Sequence, residues 1–458
     1  MSKGYSTPGS STRGTFKGYS SQGSSTQGSS TQGSSTRGSS TQGSSTKGSS
    51  SKGMSEEMSQ EMSEEAKAFR DLQLQIRKNK NRIDLLFRTL PIGFPERRKA
   101  FKAEIDQLTA ANDALKGEVF SKAKAAFKSS ERPSAISTQI VSKRLASMLR
   151  PQNSDDRFDP EGSLELITMM KEKFPDNPTI LEFEFLANYA IERFENAEQA
   201  LKRIESAVAG LDLSNQKREL KATMDKYQQE LMIRRLEANT DDLPKVLLVT
   251  TEGDVMIELF ENHAPNTVAN FIHLVRDQKF YDGKLFHLVK PGEYAMTGSP
   301  AGDGMGDAGY RIPCECYNEK IRSHFRGTLS MMSPTRDRGG SQFFITQQPN
   351  PHTYDGRYTA FGRVVEGMDV VMRLQNVDLT TRLASTTDVS RITRAEVIRA
   401  RSHPYIPEKV ASDTTGLPGF KSSEMGGSGS RDPAMTDEDN VDTPGSFDLL
   451  LQNEDGGK

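Results

Sequence analysis

Val246-Leu247-Leu248-Val249-Thr250, followed by Glu252-Gly253-Asp254 and then by Val255-Met256-Ile257-Glu258-Leu259, is the stretch at which the chain changes character. Two short runs of apolar and β-branched residues flank a glycine turn, which reads as a β-hairpin. From there to about Ile406, short apolar runs, glycine turns and two helical stretches follow one another, so residues 243–407 are expected to form a mainly antiparallel β domain.

Upstream of the hairpin the apolar period lengthens to that of helices. Between residues 155 and 240, Phe174-Pro175-Asp176-Asn177-Pro178 stops one helix and starts the next. Leu181, Phe185, Leu186, Tyr189, Ala190 and Phe194 then line one face, and Glu195-Asn196-Ala197-Glu198-Gln199-Ala200-Leu201 opens a further helix. The order resembles one tetratricopeptide helix-turn-helix unit; an array needs about three such units for stability, so a spacer packed on its neighbours is expected. Within 54–135, Phe69, Leu72, Ile76, Ile83, Leu86 and Leu90 fall on alternating three- and four-residue steps, with Asn79 filling the missing position. Phe101, Ile105, Leu108, Asn112, Leu115 and Val119 resume that pattern beyond Pro91-Ile92-Gly93-Phe94-Pro95. A coiled-coil-like antiparallel hairpin follows, because proline lacks an N–H and restricts the residue before it. Residues 66–150 hold 19 basic and 8 acidic side chains. The lysines fall on the outer face, so a solvated or partner-facing surface is expected, open to self-association through 54–240, and not a nucleic-acid interface.

Both ends differ in composition. Residues 1–53 carry a five-residue repeat, Gly-Ser-Ser-Thr-(Gln/Arg/Lys), from Gly23 to Lys47, and residues 408–458 form an acidic Gly/Ser/Pro-rich tail containing Phe447-Asp448-Leu449-Leu450-Leu451. Neither buries enough apolar surface to offset backbone entropy, and both are expected to be disordered. The whole-chain numbers agree: 34% of 458 residues are apolar, and even with glycine counted the chain falls short of the ~45–50% of an ordinary globular protein. Lys+Arg 60 against Asp+Glu 62 excludes a strongly basic or acidic protein. Cys314 and Cys316, the two cysteines, cannot frame a disulfide-rich secreted fold, and a C-x-C pair is at most half of a zinc site. No apolar run approaches the ~18 residues of a spanning helix, and Met-Ser-Lys-Gly-Tyr-Ser lacks the apolar core of a secretory signal. A cytoplasmic protein without a membrane segment is expected.

Five motifs in 243–407 carry a family resemblance: residues 264–271, Ala-Pro-Asn-Thr-Val-Ala-Asn-Phe; 280–287, Phe-Tyr-Asp-Gly-Lys-Leu-Phe-His; Gly327-Thr328-Leu329-Ser330-Met331; 340–346, Gly-Ser-Gln-Phe-Phe-Ile-Thr; and 355–364, Asp-Gly-Arg-Tyr-Thr-Ala-Phe-Gly-Arg-Val. In this order and spacing the segment resembles a cyclophilin-type peptidyl-prolyl cis-trans isomerase. The resemblance implies an eight-stranded antiparallel β-barrel closed by two helices, with an outer groove that binds proline-containing polypeptides, and it implies no metal, nucleotide or redox cofactor.

The chemistry sets what that groove needs. An X–Pro amide resists rotation by ~18–20 kcal/mol because its nitrogen lone pair is delocalised. A catalyst therefore wants a donor aimed at that nitrogen and a dry pocket for the ring. The resemblance implies an arginine donor directly after Phe286-His287, where this chain has Leu288. Lys290 shares that strand face as a weaker point-charge substitute. Gln342 is implied as the contact to the peptide backbone and Phe344 as the floor of the proline pocket. Tyr294, Met296, Met332, Ser333, His352, Tyr354 and Tyr358 occupy the remaining groove positions, Met296 in place of a glutamine and His352 in place of a tryptophan. A weakened isomerase is the expected function, and a prolyl-peptide binding module with a helical interaction arm is the alternative.

Overall fold

A computed structural model describes residues 64–90, 94–152, 156–317, 321–380 and 389–410. The repeat of 1–53, the stretch 54–63 and the tail from 411 onward, with its apolar motif at 447–451, lie outside the described residues. Helices α1 (Glu64–Arg88) and α2 (Pro95–Ser129) flank the proline break, and Pro95 occupies the first turn of α2, where a missing N–H costs nothing. They run antiparallel: Phe69 and Leu72 of α1 pack on Val119 and Ala123 of α2, while Arg82 Nε meets Glu104 Oε1 at 2.8 Å.

Helices α3 (Ala135–Leu149), α4 (Pro160–Lys173), α5 (Pro178–Ala190), α6 (Phe194–Ala207) and α7 (Ser214–Thr240) follow. No element was expected at 136–154, and α3 fills most of that interval. Val141, Leu145, Met148 and Leu149 of α3 are buried against Phe127 of α2 and Leu166 and Ile167 of α4. Asp159 and Asn177 cap α4 and α5, accepting the Gly162 and Ile180 N–H groups at 2.8 and 3.2 Å. Among the described residues no helix is long and apolar enough to cross a membrane.

The hairpin at 246–259 forms as β1 (Lys245–Thr250) and β2 (Gly253–Leu259). With β3 (Leu288–Lys290), β4 (Tyr294–Thr297), β5 (Thr328–Met331), β6 (Phe343–Thr346), β7 (Thr359–Glu366), β8 (Val377–Asp378) and β9 (Ile392–Arg399), they make one curled antiparallel sheet, ordered β8-β3-β4-β6-β5-β7-β2-β1-β9. Its ends join: the Phe286 N–H donates to the Ser390 carbonyl at 2.9 Å and the Ile392 N–H to the Lys284 carbonyl at 2.8 Å. The residues leading into β3 thus bond the start of β9 and close the expected eight strands. β8 is a two-residue ninth strand beside Leu288 and Val289.

Helices α8 (Pro265–Arg276) and α10 (Met368–Arg373) cover the cylinder. Phe271 of α8 reaches Phe343 and Phe361 with ring centroids 5.3 Å from each, and Val289, Ala295, Leu329, Met331 and Ile345 complete the interior. The helices dock on this domain through α7. Arg322, fully buried, places its guanidinium between Glu230 and Glu237, with Nε, Nη2 and Nη1 at 2.8, 2.6 and 2.6 Å from carboxylate oxygens. Phe325 lies in the helical core against Phe194 and Tyr227.

Candidate active site

Strand side chains alternate faces, so the neighbours of the interior residues point outward. On β3, β4 and β6 these are Leu288, Tyr294, Met296 and Phe344. They do not meet water: with Met332 and Tyr354 they form a second buried apolar cluster, against which Tyr358 packs. Strand register explains the grouping. Leu288 stands opposite Met296, Met296 opposite Phe344, and Phe344 opposite Ser330, giving one row across four strands. Phe344 is central, with the ring centroids of Tyr294, Tyr354 and Tyr358 at 5.7, 5.3 and 5.3 Å. Leu288 is only 1% exposed, so the row is closed over by its own side chains.

The cluster is electrically quiet. Burial pushes the Tyr294, Tyr354 and Tyr358 phenols up, which keeps them neutral. The Tyr294 hydroxyl is buried with no hydrogen-bond partner among the described residues. Lys290 stays at the rim, its Nζ 5.6 Å from the centre of the Tyr294 ring and 4.0 Å from Glu293 Oε2.

The remaining predicted residues are placed as follows. Gln342 turns its amide onto the glycine loop, donating from Nε2 to the carbonyls of Gly304 and Gly306 at 3.1 and 2.8 Å. That loop leaves β4 through Gly298, at φ +89°, where an added Cβ would lie 2.2 Å from the Ser341 carbonyl oxygen. Only glycine fits there. Ser333 follows Met332 but spends its hydroxyl locally: it donates to the Thr335 carbonyl and accepts the Arg338 N–H at 3.3 Å. His352 is not brought to the pocket. It is exposed on the other side of its turn, with Nε2 3.0 Å from Thr223 Oγ1 of α7, because α7 packs behind α9 (Pro351–Tyr354).

Two features were not found from sequence. Behind Phe344, His324 is fully buried with Nδ1 2.8 Å from Asp355 Oδ1 and Nε2 2.8 Å from Ser330 Oγ, and its ring lies 14° from parallel to that of Phe344. The order serine, histidine, carboxylate is that of a hydrolase, but Ser330 has no exposed surface to offer a substrate. The network instead fixes Phe344 from below. Burial alone would raise the Asp355 carboxyl; His324, and Lys226 of α7 at 2.8 Å, outweigh it and hold that carboxyl below the usual range. His287 is the second. It is buried, both ring nitrogens lack hydrogen-bond partners among the described residues, and desolvation lowers its pKa to about 4 against the pull of Asp303 and Asp378. A cavity of about 300 Å³ lined by Glu198, Lys202, Leu220 and Met224 lies between α6 and α7 and touches none of these residues.

Comparison with known proteins bears on the same segment. The family model for cyclophilin type peptidyl-prolyl cis-trans isomerase/CLD matches residues 245–397. A peptidyl-prolyl cis-trans isomerase of Synechococcus elongatus is 43% identical over 150 residues, covering 32% of this chain and 100% of the relative. The chain belongs to the cyclophilin family. Peptidyl-prolyl cis-trans isomerase B of Bacillus subtilis is 42% identical over 132 residues, 29% of this chain and 90% of the relative. Among solved structures, a cyclophilin type isomerase of Cryptosporidium parvum is similar to 35% of this chain and covers 99% of its own, at 26% identity and a TM-score of 0.30. The cyclophilin domain occupies about a third of the chain, and the helices from α1 to α7 precede it.

Against this cyclophilin background, Leu288 and Met296 belong together. The register sets them face to face across β3 and β4, and both are members of the same buried apolar cluster.

Proposed function

We propose that the cyclophilin domain receives X–Pro segments of polypeptides over the apolar row centred on Phe344, whose covering side chains part to admit the ring, and turns the prolyl bond slowly. Twisting the amide localises the nitrogen lone pair, and a preorganised donor at that point is worth ~3–4 kcal/mol, or ~10²–10³ in rate, by analogy with one oxyanion-hole donor. The observation that carries the reading is the Leu288–Met296–Phe344 row: an aromatic floor with apolar neighbours where the resemblance implies a guanidinium. The Gln342 amide is held by Gly304 and Gly306, and Lys290 remains at the rim. What such a face offers is desolvation of the prolyl amide. A binding module without turnover is the second reading, favoured by the same apolar row.

Exchange between cis and trans forms of an Ala-Pro peptide, measured by magnetisation transfer, separates the two. We expect slow but measurable exchange with the wild type and a gain of ~10²-fold or more with Leu288→Arg, if the variant keeps its circular dichroism. Peptide shifts on titration with no exchange from the wild type would leave the binding reading. Equal rates for wild type and a folded Leu288→Arg would remove the argument that residue 288 limits turnover.

A further inference from the structure

Helix α9 is a single turn, too short to be stable on its own backbone. It nevertheless carries Tyr354, 4% exposed, whose ring centroid stands 5.3 Å from that of Phe344 and 5.9 Å from that of Tyr358. We propose that Thr223 and Lys226 of α7 are positioning residues for the proline site: they fix this turn from outside the cyclophilin domain, and so fix Tyr354 as a wall of the pocket. The wall matters on the reading above, in which the Phe344 row receives X–Pro segments.

The turn meets α7 at two points that straddle Tyr354. Two positions before it, His352 Nε2 lies 3.0 Å from Thr223 Oγ1; one position after it, Asp355 Oδ2 accepts from Lys226 Nζ at 2.8 Å. Thr223 and Lys226 are three residues apart, which makes them neighbours on one helix face. The other Asp355 oxygen accepts the His324 backbone N–H at 2.9 Å and lies 2.8 Å from His324 Nδ1. His324 stands beneath the row, its ring centroid 5.6 Å from that of Tyr354 and 6.4 Å from that of Phe344. One carboxylate therefore joins the α7 lysine to the ring under the pocket floor.

Helix α7 is a firm post for these contacts. The same face continues with Tyr227, whose ring centroid is 5.0 Å from that of Phe325, and with Glu230 and Glu237, which grip the buried Arg322. From Thr223 to Glu237 the docked face runs for about four turns. A wall held in advance spares an incoming peptide the cost of ordering that side chain, roughly 3–10-fold in affinity. The helical region is then part of the peptide site and more than a spacer.

The test uses the full chain with methyl-labelled methionine and an Ala-Pro peptide, because Met296 and Met332 share the cluster of Tyr354 and report on its ring. Thr223→Val combined with Lys226→Met removes both anchors. The Met296 and Met332 methyl resonances of this double variant should move before any peptide is added, and its peptide affinity should fall roughly 3–10-fold. Lys226→Arg alone should keep wild-type values of both. Lys221→Met, at an exposed α7 lysine paired with Asp225, is the control and should change neither. Circular dichroism establishes that each variant is folded. A folded double variant that keeps the wild-type methyl resonances, or that binds the peptide as tightly as the wild type or more tightly, would overturn the assignment. If the peptide binds not even the wild type, methyl resonances that move in the double variant uphold the positioning, and the proline-site reading fails instead.

Discussion

His287 is buried with no hydrogen-bond partner for its ring nitrogens among the described residues, and desolvation lowers its pKa from 6.5 to about 4. The folded state therefore holds this ring neutral, whereas the unfolded chain protonates it near pH 6.5. Between pH 6.5 and about 4 the unfolded state binds more protons, so stability rises with pH and is lost as the pH falls through that window. Each unit is worth ~1.4 kcal/mol, so His287 alone should cost about 3 kcal/mol between pH 7 and pH 4, and nothing more below. His287→Leu removes the titrating group, and its stability curve should lack this component. The chain has no tryptophan, so urea unfolding is best followed by circular dichroism across a pH series. The quantity to read is the difference between wild type and variant, which cancels the carboxylates common to both. Parallel curves between pH 6.5 and 4, or a proton NMR titration placing the His287 midpoint near 6.5, would refute the reasoning.

Two other substitutions test buried polarity and charge pairing. Tyr294→Phe deletes a buried hydroxyl that has no partner, so stability should hold or rise by up to ~1–3 kcal/mol; a clear loss in urea unfolding would mean that the hydroxyl is bonded. Arg322→Met leaves Glu230 and Glu237 buried without their shared cation and should destabilise the chain by ~3–5 kcal/mol, with faster proteolysis between α7 and β1. A loss under ~1 kcal/mol would show that Arg234, 2.8 Å from Glu230, compensates on its own.

Strand alternation is a local property, because successive side chains must point to opposite faces. Alternation set Lys290 on the face of Leu288, and the resemblance added Tyr294, Met296 and Phe344 to the same groove. The hairpin at 246–259 and the helix break at Pro95 were likewise written in a few adjacent residues. The fate of other positions depended on partners far along the chain. His352 of α9 faces α7 and not the pocket, because Thr223, 129 residues away, lies against it. His324, Ser330 and Asp355 converge only when β5 and the turn after α9 are brought together. Helix α3 escaped notice because its apolar positions become a stripe only in relation to α2 and α4.

By itself, then, the sequence determined the cyclophilin frame, the facing of its strands and the leucine at 288, since each rests on backbone periodicity or on residue identity. Tertiary structure alone decided that the outer row is sealed over, that Gln342 is committed to the glycine loop, and that Arg322 sits between two glutamates of α7. Burial and hydrogen bonding are properties of what surrounds a residue, and most of those surroundings come from distant parts of the chain.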